Sequence, residues 1–323
     1  MRTVNVGIPA GVKPELLRTF PTQAAVIPIE ADLARPLDIE FWVAPFYARE
    51  AHQAFPHLRG VRVVQSLLAG VDWLQALLPP GITLCDGQGM HNIPTAEWTV
   101  AAILNSLKFF PLYNALQQAH DWRGRTLADE LYRSLQRTSD LNYPPVLQEE
   151  LYGKRALIIG YGSIGRSIEE RLAPFGVDIV RVARSARPGV EPVSRLLDLL
   201  PSTDIIILIV PQTPETAGLI GVRELDRMKQ GALLVNAARG PVVDTSALVT
   251  ALDQKRIRAA LDVTDPEPLP ADHPLWSAPN VFITPHVAAS SPAMMSRAIA
   301  FAAQQVERYL AGQPLHNIVT GAY

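Results

Sequence analysis

The glycine-rich segment GYGSIG, at residues 160–165, restricts the fold of this chain more than any other feature of the sequence. It directly follows the apolar run RALIIG and precedes SIEERLAPF, a segment whose apolar residues recur at helical spacing. Glycines spaced G-x-G-x-x-G between a strand and a helix are typical of a dinucleotide-binding loop. The first makes a tight turn, the second lets the backbone approach a pyrophosphate, and the third allows close helix–strand packing. The alternative is a glycine-rich turn in a domain that binds no cofactor.

Six apolar runs in the second half of the chain have the length of buried strands, and helical or turn-forming stretches separate them. They are RALIIG, DIVRVA, DIIILIV, ALLVNA, AALDV and VFITP. This alternation predicts a doubly wound parallel sheet with helices on both faces. A last helix is expected over residues 292–312, ended by Gly312 and Pro314.

The first part of the chain predicts a second, smaller parallel sheet. Its strand candidates are TVNVGI (3–8), IEFWVA (39–44), VRVVQS (61–66) and ITLCD (82–86). A long helix is expected over residues 95–122, with Thr95 as its cap and a bend near Pro111. Residues 123–152 are poorly periodic and are interpreted as a connection or excursion without a motif.

Length and composition narrow the class of protein. The 323 residues predict two domains, with residues 1–97 and 288–323 in one and residues 98–287 in the other. The formal net charge of −2 argues against a nucleic-acid partner. The single cysteine, Cys85, excludes a disulfide framework and a cysteine-based metal cluster, and no metal is expected. Because the start of the chain favours a strand over a signal peptide and no apolar run is long enough for a membrane span, we expect a cytoplasmic protein.

The end of the second strand of the larger sheet indicates which dinucleotide binds. A carboxylate there would bind the adenosine ribose hydroxyls, but this chain has Ala183 followed by Arg184, Ser185 and Arg187. Two guanidinium groups and a hydroxyl offer strong donors to a 2′-phosphate. The sequence therefore predicts NADP as the preferred cofactor and NAD as a weaker one. The alternative is a pair of solvated surface arginines.

Three polar side chains each follow a short apolar run. They are Arg239 in VNAARGPVVD, Glu267 in LDVTDPEPLP and His286 in VFITPHVAAS. Strand ends of this kind are where ligands bind in open α/β sheets. An imidazole can donate a proton near neutral pH, and a guanidinium can bind an anionic ligand. Taken singly, each residue also has a structural interpretation as a strand cap, a surface cation or a loop carboxylate.

With these segments in this order, the chain resembles the D-isomer-specific 2-hydroxyacid dehydrogenases, a family that includes the glyoxylate/hydroxypyruvate reductases, the D-lactate dehydrogenases and phosphoglycerate dehydrogenase. The resemblance covers nearly the whole chain. It is strongest in GYGSIG (160–165), VPQTPETAGLI (210–220), VNAARGPVVDTSAL (235–248) and residues 262–286. It implies an α/β fold of two domains, a Rossmann doubly wound coenzyme domain and a smaller flavodoxin-like parallel-sheet substrate domain. It also implies a homodimer.

The resemblance assigns the chemistry to the same three residues. Arg239 matches the arginine that binds the substrate carboxylate and polarises the keto group. His286 matches the acid/base, and Glu267 matches the carboxylate that hydrogen-bonds this histidine.

The resemblance also implies binding residues. SLLAGVDWL (66–74) resembles the family's AGxD loop, whose backbone N–H groups at Ala69, Gly70 and Val71 face the substrate carboxylate. Asp262 matches a position near the nicotinamide carboxamide, with an ordinary loop cap as the alternative. The expected cofactor-binding residues are Gly160, Gly162, Ser163, Ile164, Gly165, Arg184, Ser185, Arg187, Pro211, Thr213, Ala237 and Asp262.

One region departs from the family pattern. More residues than usual lie between Trp122 and the segment Glu150–Lys154, and the family's dimer contacts involve this region, so the geometry of the dimer is left open. We expect no regulatory domain after Tyr323, which disfavours the long phosphoglycerate dehydrogenases.

These observations together predict an NADPH-preferring reductase that converts a small 2-keto acid, glyoxylate or hydroxypyruvate, to the D-2-hydroxy acid. The alternative is a dinucleotide-sensing or corepressor-like protein with little turnover, because corepressor members of the family keep the same three residues. The physiological keto acid, the strength of the NADPH preference and the reaction direction in the cell are left open.

Overall fold

The computed structural model describes residues 2–320, and the chain divides into two compact units. One unit contains the residues up to Asn92 and those from Ser290 onwards, and the other contains Ile93–Ala289. Each is built on its own parallel sheet. Within the described residues, no helix has both the length and the apolar character needed to cross a membrane.

The smaller sheet has the strand order β2-β1-β4-β6-β7, and every pairing in it is parallel. The strands of this unit are β1 (Val4–Pro9), β2 (Ala24–Ile29), β3 (Leu37–Asp38), β4 (Phe41–Val43), β5 (Leu58–Arg59), β6 (Val63–Gln65) and β7 (Thr83–Cys85). The two-residue strands β3 and β5 pair separately. The helices α1 (Pro14–Leu17), α2 (Ala48–Ala54) and α3 (Asp72–Leu77) connect the strands. This order is that of the flavodoxin-like fold, as predicted.

The larger sheet has the order β10-β9-β8-β11-β12-β13-β14 and is parallel throughout. Its strands are β8 (Arg155–Ile159), β9 (Asp178–Ala183), β10 (Glu191–Pro192), β11 (Ile205–Leu208), β12 (Leu233–Asn236), β13 (Arg258–Leu261) and β14 (Val281–Ile283). The order reverses between β8 and β11, and this switch point is where doubly wound sheets bind dinucleotides. All six predicted strands are confirmed.

Helices pack on both faces of the larger sheet. They are α4 (Asn92–Leu107), α7 (Ser163–Leu172), α8 (Leu196–Leu199), α9 (Val222–Arg227) and α10 (Thr245–Asp253). The helices α5 (Phe110–Gln118) and α6 (Leu127–Gln136) pack together in a separate buried cluster. Along β11, Ile206 and Leu208 belong to one buried cluster, whereas Ile205 and Ile207 belong to the cluster on the opposite face. Burial on both faces explains why the strands are continuous apolar runs rather than alternating ones. The last helix, α11 (Met294–Leu310), packs in the smaller unit.

The predicted helix over residues 95–122 is wrong in its ends, and the bend predicted near Pro111 is a full break two residues earlier. Helix α4 begins at Asn92, so Thr95 is a buried interior residue rather than a cap. The chain breaks at Phe109, whose φ of 53° is left-handed, and α5 starts at the next residue. Pro111 then lies in the first turn of α5, where its missing N–H is not needed. The break buries Phe109 against Ala128 of α6.

The region between residues 123 and 152 is not a plain connection, because it contains α6. The carboxylate of Asp129 in this helix accepts hydrogen bonds from Asn142 Nδ2 and Val146 N, both at 2.8 Å, and from Arg133 Nε at 3.0 Å. A buried carboxylate with three donors organises this segment without an apolar periodicity that sequence inspection would detect.

Cys85 ends β7 and is fully buried. Burial, with the neighbouring Asp86 charge as a second cause, raises the pKa of the Cys85 thiol to about 12. Because the thiolate is the reactive form, we expect a disulfide reagent such as Ellman's to leave the native protein unlabelled at about pH 8. The protein unfolded in guanidinium should react fully, as followed by the absorbance of the released thiol. Rapid labelling of the native protein would contradict this placement of Cys85.

Candidate active site

The glycine loop joins β8 to α7 with the geometry that its spacing predicts. Gly160 has a φ of 105°, and a Cβ there would lie 2.4 Å from the carbonyl oxygen of Ile209. A Cβ on Gly165 would lie 2.6 Å from the oxygen of Gly160, so this glycine permits the close packing of α7 on the loop. A Cβ on Gly162 would meet nothing within 4 Å. The second glycine therefore borders open space, as a phosphate cradle requires.

Helix α7 supplies donors beside that space. It begins at Ser163, directly after Gly162, which is its N-cap. The N–H groups of Ser163, Ile164 and Gly165 are in the first turn, where they have no partner within the helix. Such N–H groups and the positive end of the helix dipole favour a phosphate. The cradle and its donors fit the pyrophosphate of a dinucleotide.

The turn after β9 carries the predicted phosphate-binding side chains. Arg184, Ser185 and Arg187 are all exposed. Arg187 donates from Nη2 to the carbonyl oxygen of Tyr161 in the glycine loop at 2.5 Å. A hydrogen bond from the Thr213 hydroxyl, with the Arg184 cation as a further cause, holds the pKa of the Glu215 carboxyl below its usual value. The structure thus places Arg187 against the glycine loop and Arg184 near the loop that follows β11.

The loops after β11 and β12 contain the other predicted nicotinamide-side residues. Thr213 is buried and donates its N–H to the hydroxyl of Thr216 at 2.8 Å, and that hydroxyl donates to the carbonyl of Pro211 at 2.7 Å. Ala237 N donates to the carbonyl of Leu208 at 3.2 Å. These bonds hold both loops at the carboxyl edge of the sheet that also bears the glycine loop.

Arg239 lies in a turn that a buried asparagine organises. Asn236, at the end of β12, donates from Nδ2 to the carbonyl of Arg239 and accepts from Ala238 N, both at 3.0 Å. Arg239 itself donates from Nη1 to the carbonyl of Ala238 at 2.8 Å. Asn236 was not among the predicted residues. A polar residue at the end of an apolar strand could have indicated it, because such positions lie at the edge of the sheet where ligands bind.

A second unpredicted residue, Gly240, brings the Arg239 turn against the segment that leads to Glu267. A Cβ on Gly240 would lie 1.9 Å from the carbonyl oxygen of Thr264 and 2.2 Å from its carbonyl carbon. Backbone contact this close excludes any side chain at this position. Gly240 therefore allows two loops from neighbouring strands to approach each other.

The side chains of His286 and Glu267 are hydrogen-bonded to each other. His286 Nδ1 lies 2.6 Å from Glu267 Oε1, and the two side chains are 46% and 42% exposed. Because a carboxylate only accepts, Nδ1 carries a proton in this bond and Nε2 is the nitrogen left to act on a ligand. The pairing predicted for these two residues is present in the structure.

Asp262 holds the loop that carries His286. Its carboxylate accepts from the hydroxyl of Thr284 at 2.5 Å and from the N–H groups of Val287 and Ala288, both at 2.9 Å. The N–H of His286 donates to the Asp262 carbonyl at 2.7 Å. The φ of His286 is 54°, an uncommon conformation outside glycine that these bonds stabilise. The loop-cap alternative for Asp262 thus has direct structural support.

The loop with Ala69, Gly70 and Val71 belongs to the smaller unit and has its own supports. Leu68 N donates to the Ser66 hydroxyl at 2.9 Å, and Gly87 N donates to the Leu68 carbonyl at 2.7 Å. His91, a buried residue absent from the predictions, donates from Nε2 to the carbonyl of Leu67 at 2.9 Å. Burial lowers the pKa of the His91 imidazole. These bonds fix the backbone that leads into Ala69 and Gly70, and Val71 precedes α3.

Across residues 2–320, no group of three or more His, Cys, Asp or Glu side chains has an arrangement that would hold a metal ion.

Comparison with known proteins identifies the family. A family model described as the NAD binding domain of D-isomer specific 2-hydroxyacid dehydrogenase matches residues 100–288. A glyoxylate reductase from Thermococcus gammatolerans is 30% identical over 275 residues, which are 82% of this chain and 78% of that protein. A D-3-phosphoglycerate dehydrogenase from Mycobacterium leprae is 40% identical over 271 residues, but the match spans only 47% of that longer protein.

A solved structure covers both units. The NADPH-dependent glyoxylate/hydroxypyruvate reductase from Sinorhizobium meliloti, crystallised with NADP and sulfate, is 27% identical and has a TM-score of 0.80 over 98% of each chain. The chain therefore belongs to the D-isomer-specific 2-hydroxyacid dehydrogenases, a family of NAD(P)-dependent oxidoreductases.

Proposed function

We propose that this protein reduces a small 2-keto acid, with glyoxylate or hydroxypyruvate as the leading candidates, to the D-2-hydroxy acid with NADPH. The observation that carries the proposal is the 2.6 Å pair of His286 and Glu267, held on a loop of the same sheet as the glycine cradle. We assign coenzyme binding to residues 98–287 and substrate binding to residues 1–97 with 288–323.

His286 acts as the proton donor in this proposal. The bound nicotinamide supplies the hydride, and the carbonyl oxygen of the keto acid then needs a proton. The Nε2 proton of His286 goes to that oxygen, and the negative charge of Glu267 stabilises the imidazolium before the transfer. The bond from Nδ1 to Glu267 also fixes the orientation of the imidazole ring, so Nε2 does not lose rotational freedom when it acts on the substrate.

The substrate carboxylate is assigned to two kinds of donor. Arg239 offers a planar guanidinium that binds a carboxylate and polarises an adjacent keto group. The backbone N–H groups of Ala69, Gly70 and Val71 are assigned to carboxylate binding as well. The bonds from Ser66, Gly87 and His91 around that loop support a rigid backbone for this role.

The preference for NADPH rests on the turn after β9. Arg184, Ser185 and Arg187 are exposed donors there, and Ala183 stands where a carboxylate would bind the ribose hydroxyls of NADH. The similar reductase from Sinorhizobium meliloti is NADPH-dependent, which supports the same cofactor preference. Pro211, Thr213, Ala237 and Asp262 are assigned to the nicotinamide side.

Replacing both Arg184 and Arg187 with alanine should weaken NADPH binding by at least about tenfold, because each charge-assisted hydrogen bond contributes ~1.5–3 kcal/mol. NADH binding should change little, because NADH lacks the 2′-phosphate. Dissociation constants for both dinucleotides, from fluorescence titration, measure the effect. Arg223→Ala, at an exposed position on α9, is the matched control. Equal losses for the two dinucleotides would refute the assignment.

The test of the function itself is a panel of 2-keto acids assayed with NADPH and with NADH. We expect NADPH consumption with glyoxylate or hydroxypyruvate and a D-configured product by chiral chromatography. Tight dinucleotide binding with negligible turnover across the panel would overturn the reductase proposal and leave a dinucleotide-sensing role.

We also propose a homodimer. Trp122, Leu141 and Tyr143 are large apolar side chains that are 82% to 100% exposed within one stretch of chain. The family's dimer contacts involve this region of the chain, so these side chains are the ones we expect a partner subunit to cover. Sedimentation equilibrium of the wild type and of a Trp122→Ser variant tests this assignment, and a monomeric wild type would contradict it.

A further inference from the structure

Arg187 is held in place by more than its own turn. Its N–H and carbonyl bond to Val190 in a tight reversal of the chain, at 3.2 and 2.8 Å. Its side chain extends back to the glycine loop, where Nη2 donates to the carbonyl of Tyr161 at 2.5 Å. The guanidinium carbon lies 6.0 Å from the centre of the Tyr161 ring, within the range of a cation–π contact.

Tyr161 is in turn anchored to the strand below. Its hydroxyl donates to Glu169 of α7, and Arg181 of β9 donates from Nε to Oε2 of the same carboxylate at 2.7 Å. The Arg181 guanidinium also lies 5.6 Å from the ring centre. The hydrogen bond from Arg181 lowers the pKa of Glu169, and burial raises the pKa of Tyr161, so the acceptor is ionised and the donor keeps its proton.

Arg184 has a different environment. It is as exposed as Arg187, but its charge acts on Glu215, whose pKa is lowered first by a hydrogen bond from Thr213 and further by Arg184. Any residue at position 161 offers a carbonyl oxygen, but only an aromatic one adds a ring face to a guanidinium. Holding a long side chain before its ligand arrives reduces the ordering cost of binding.

We propose that Tyr161 determines cofactor specificity by positioning Arg187, through its ring and its carbonyl, to bind the 2′-phosphate of NADPH. The proposal rests on the NADPH preference proposed above. Tyr161 is a positioning residue, because it acts through Arg187. Glu169 and Arg181 contribute by fixing the ring on which Arg187 rests.

The test compares Tyr161→Leu with Tyr161→Phe by titrating each purified variant with NADPH and with NADH. Loss of an exposed cation–π contact predicts about two- to fivefold weaker NADPH binding for Tyr161→Leu and unchanged NADH binding. Tyr161→Phe keeps the ring and should retain most of the NADPH affinity. Tyr161→Met serves as a second non-aromatic variant if the leucine variant does not fold. Equal losses for both dinucleotides, or no loss for either, would overturn the inference.

A double-mutant cycle separates the role of Tyr161 from the assignment of Arg187 to the 2′-phosphate. In an Arg187→Ala background, Tyr161→Leu should no longer affect NADPH binding, since the positioned group is gone. If Arg187→Ala lowers the affinity for NADPH but Tyr161→Leu does not, the role of Tyr161 is wrong and the cofactor assignment stands. If Arg187→Ala leaves the ratio of NADPH to NADH affinities unchanged, the assignment of the 2′-phosphate to Arg187 fails first.

Discussion

Replacing His286 with alanine lowers the turnover of 2-keto acid reduction by about 10²–10⁴-fold, the usual contribution of a positioned general acid. Without the imidazole, the developing alkoxide has no positioned donor. The glycine cradle lies elsewhere in the chain, so NADPH affinity should stay close to that of the wild type. Steady-state kinetics and NADPH titration of the variant measure the two effects. Wild-type turnover would show that another group donates the proton.

The matched variant is Glu267→Gln, which keeps a hydrogen-bonding group beside Nδ1 and removes the charge. A neutral amide stabilises a charged imidazole less than a carboxylate does, so turnover should fall. The loss should be smaller than in His286→Ala, because the proton donor is still present. Steady-state kinetics of the two variants and the wild type measures both effects. Turnover of Glu267→Gln equal to that of the wild type would mean that the carboxylate does not support the proton donor.

Replacing Gly240 with alanine should lower turnover by about 10²-fold or more, because a displacement of about 1 Å in a catalytic group has an effect of that size. The new Cβ would lie 1.9 Å from the Thr264 carbonyl oxygen, so the backbone must move. Arg239 immediately precedes this residue, and Thr264 lies on the segment that leads to Glu267. The kinetic constants and the thermal unfolding midpoint of the purified variant measure both consequences.

Two further variants are needed to interpret the effect of Gly240→Ala. Arg239→Ala should raise the keto-acid KM and lower turnover, and Gly240→Ala should shift both constants in the same directions. Gly221→Ala is the control for glycine replacement. A Cβ at Gly221 would lie 3.7 Å from its nearest neighbour, Glu224 Oε2, and the φ of −111° is accessible to alanine. Normal turnover in Gly240→Ala would indicate that the two loops need not be in contact for catalysis.

Most strands could be predicted because a strand buried on both faces leaves a continuous apolar run. The longest strand that was missed, β2, contains Pro28. Proline lacks the N–H of the ladder and argues against a central strand. The sheet order places β2 at the edge, where that donor is not required. The position of a strand within its sheet is a property of the fold and is not visible in the segment itself.

Helix α6 and the exact position of the break before α5 could not be predicted for a related reason. The break at Phe109 depends on the burial of its ring against α6, and α6 depends on donors to Asp129 from residues that follow it. The contact of Phe109 with α6 and the bonds to Asp129 each join two different segments of the chain. The local composition of each segment does not reveal these contacts. Local periodicity therefore predicted a longer helix followed by an irregular connection.

The sequence by itself determined the glycine loop and the six strands of the larger sheet. Local backbone rules suffice for these, because a glycine spacing or an apolar run specifies its own conformation. The family resemblance implied that Glu267 meets His286, and the structure gives this contact its geometry. Only the tertiary structure decided that Asp262 holds the His286 loop and that Gly240 joins two loops. These contacts join residues from different strand ends, and their distances follow from the sheet order and the packing that no single segment encodes.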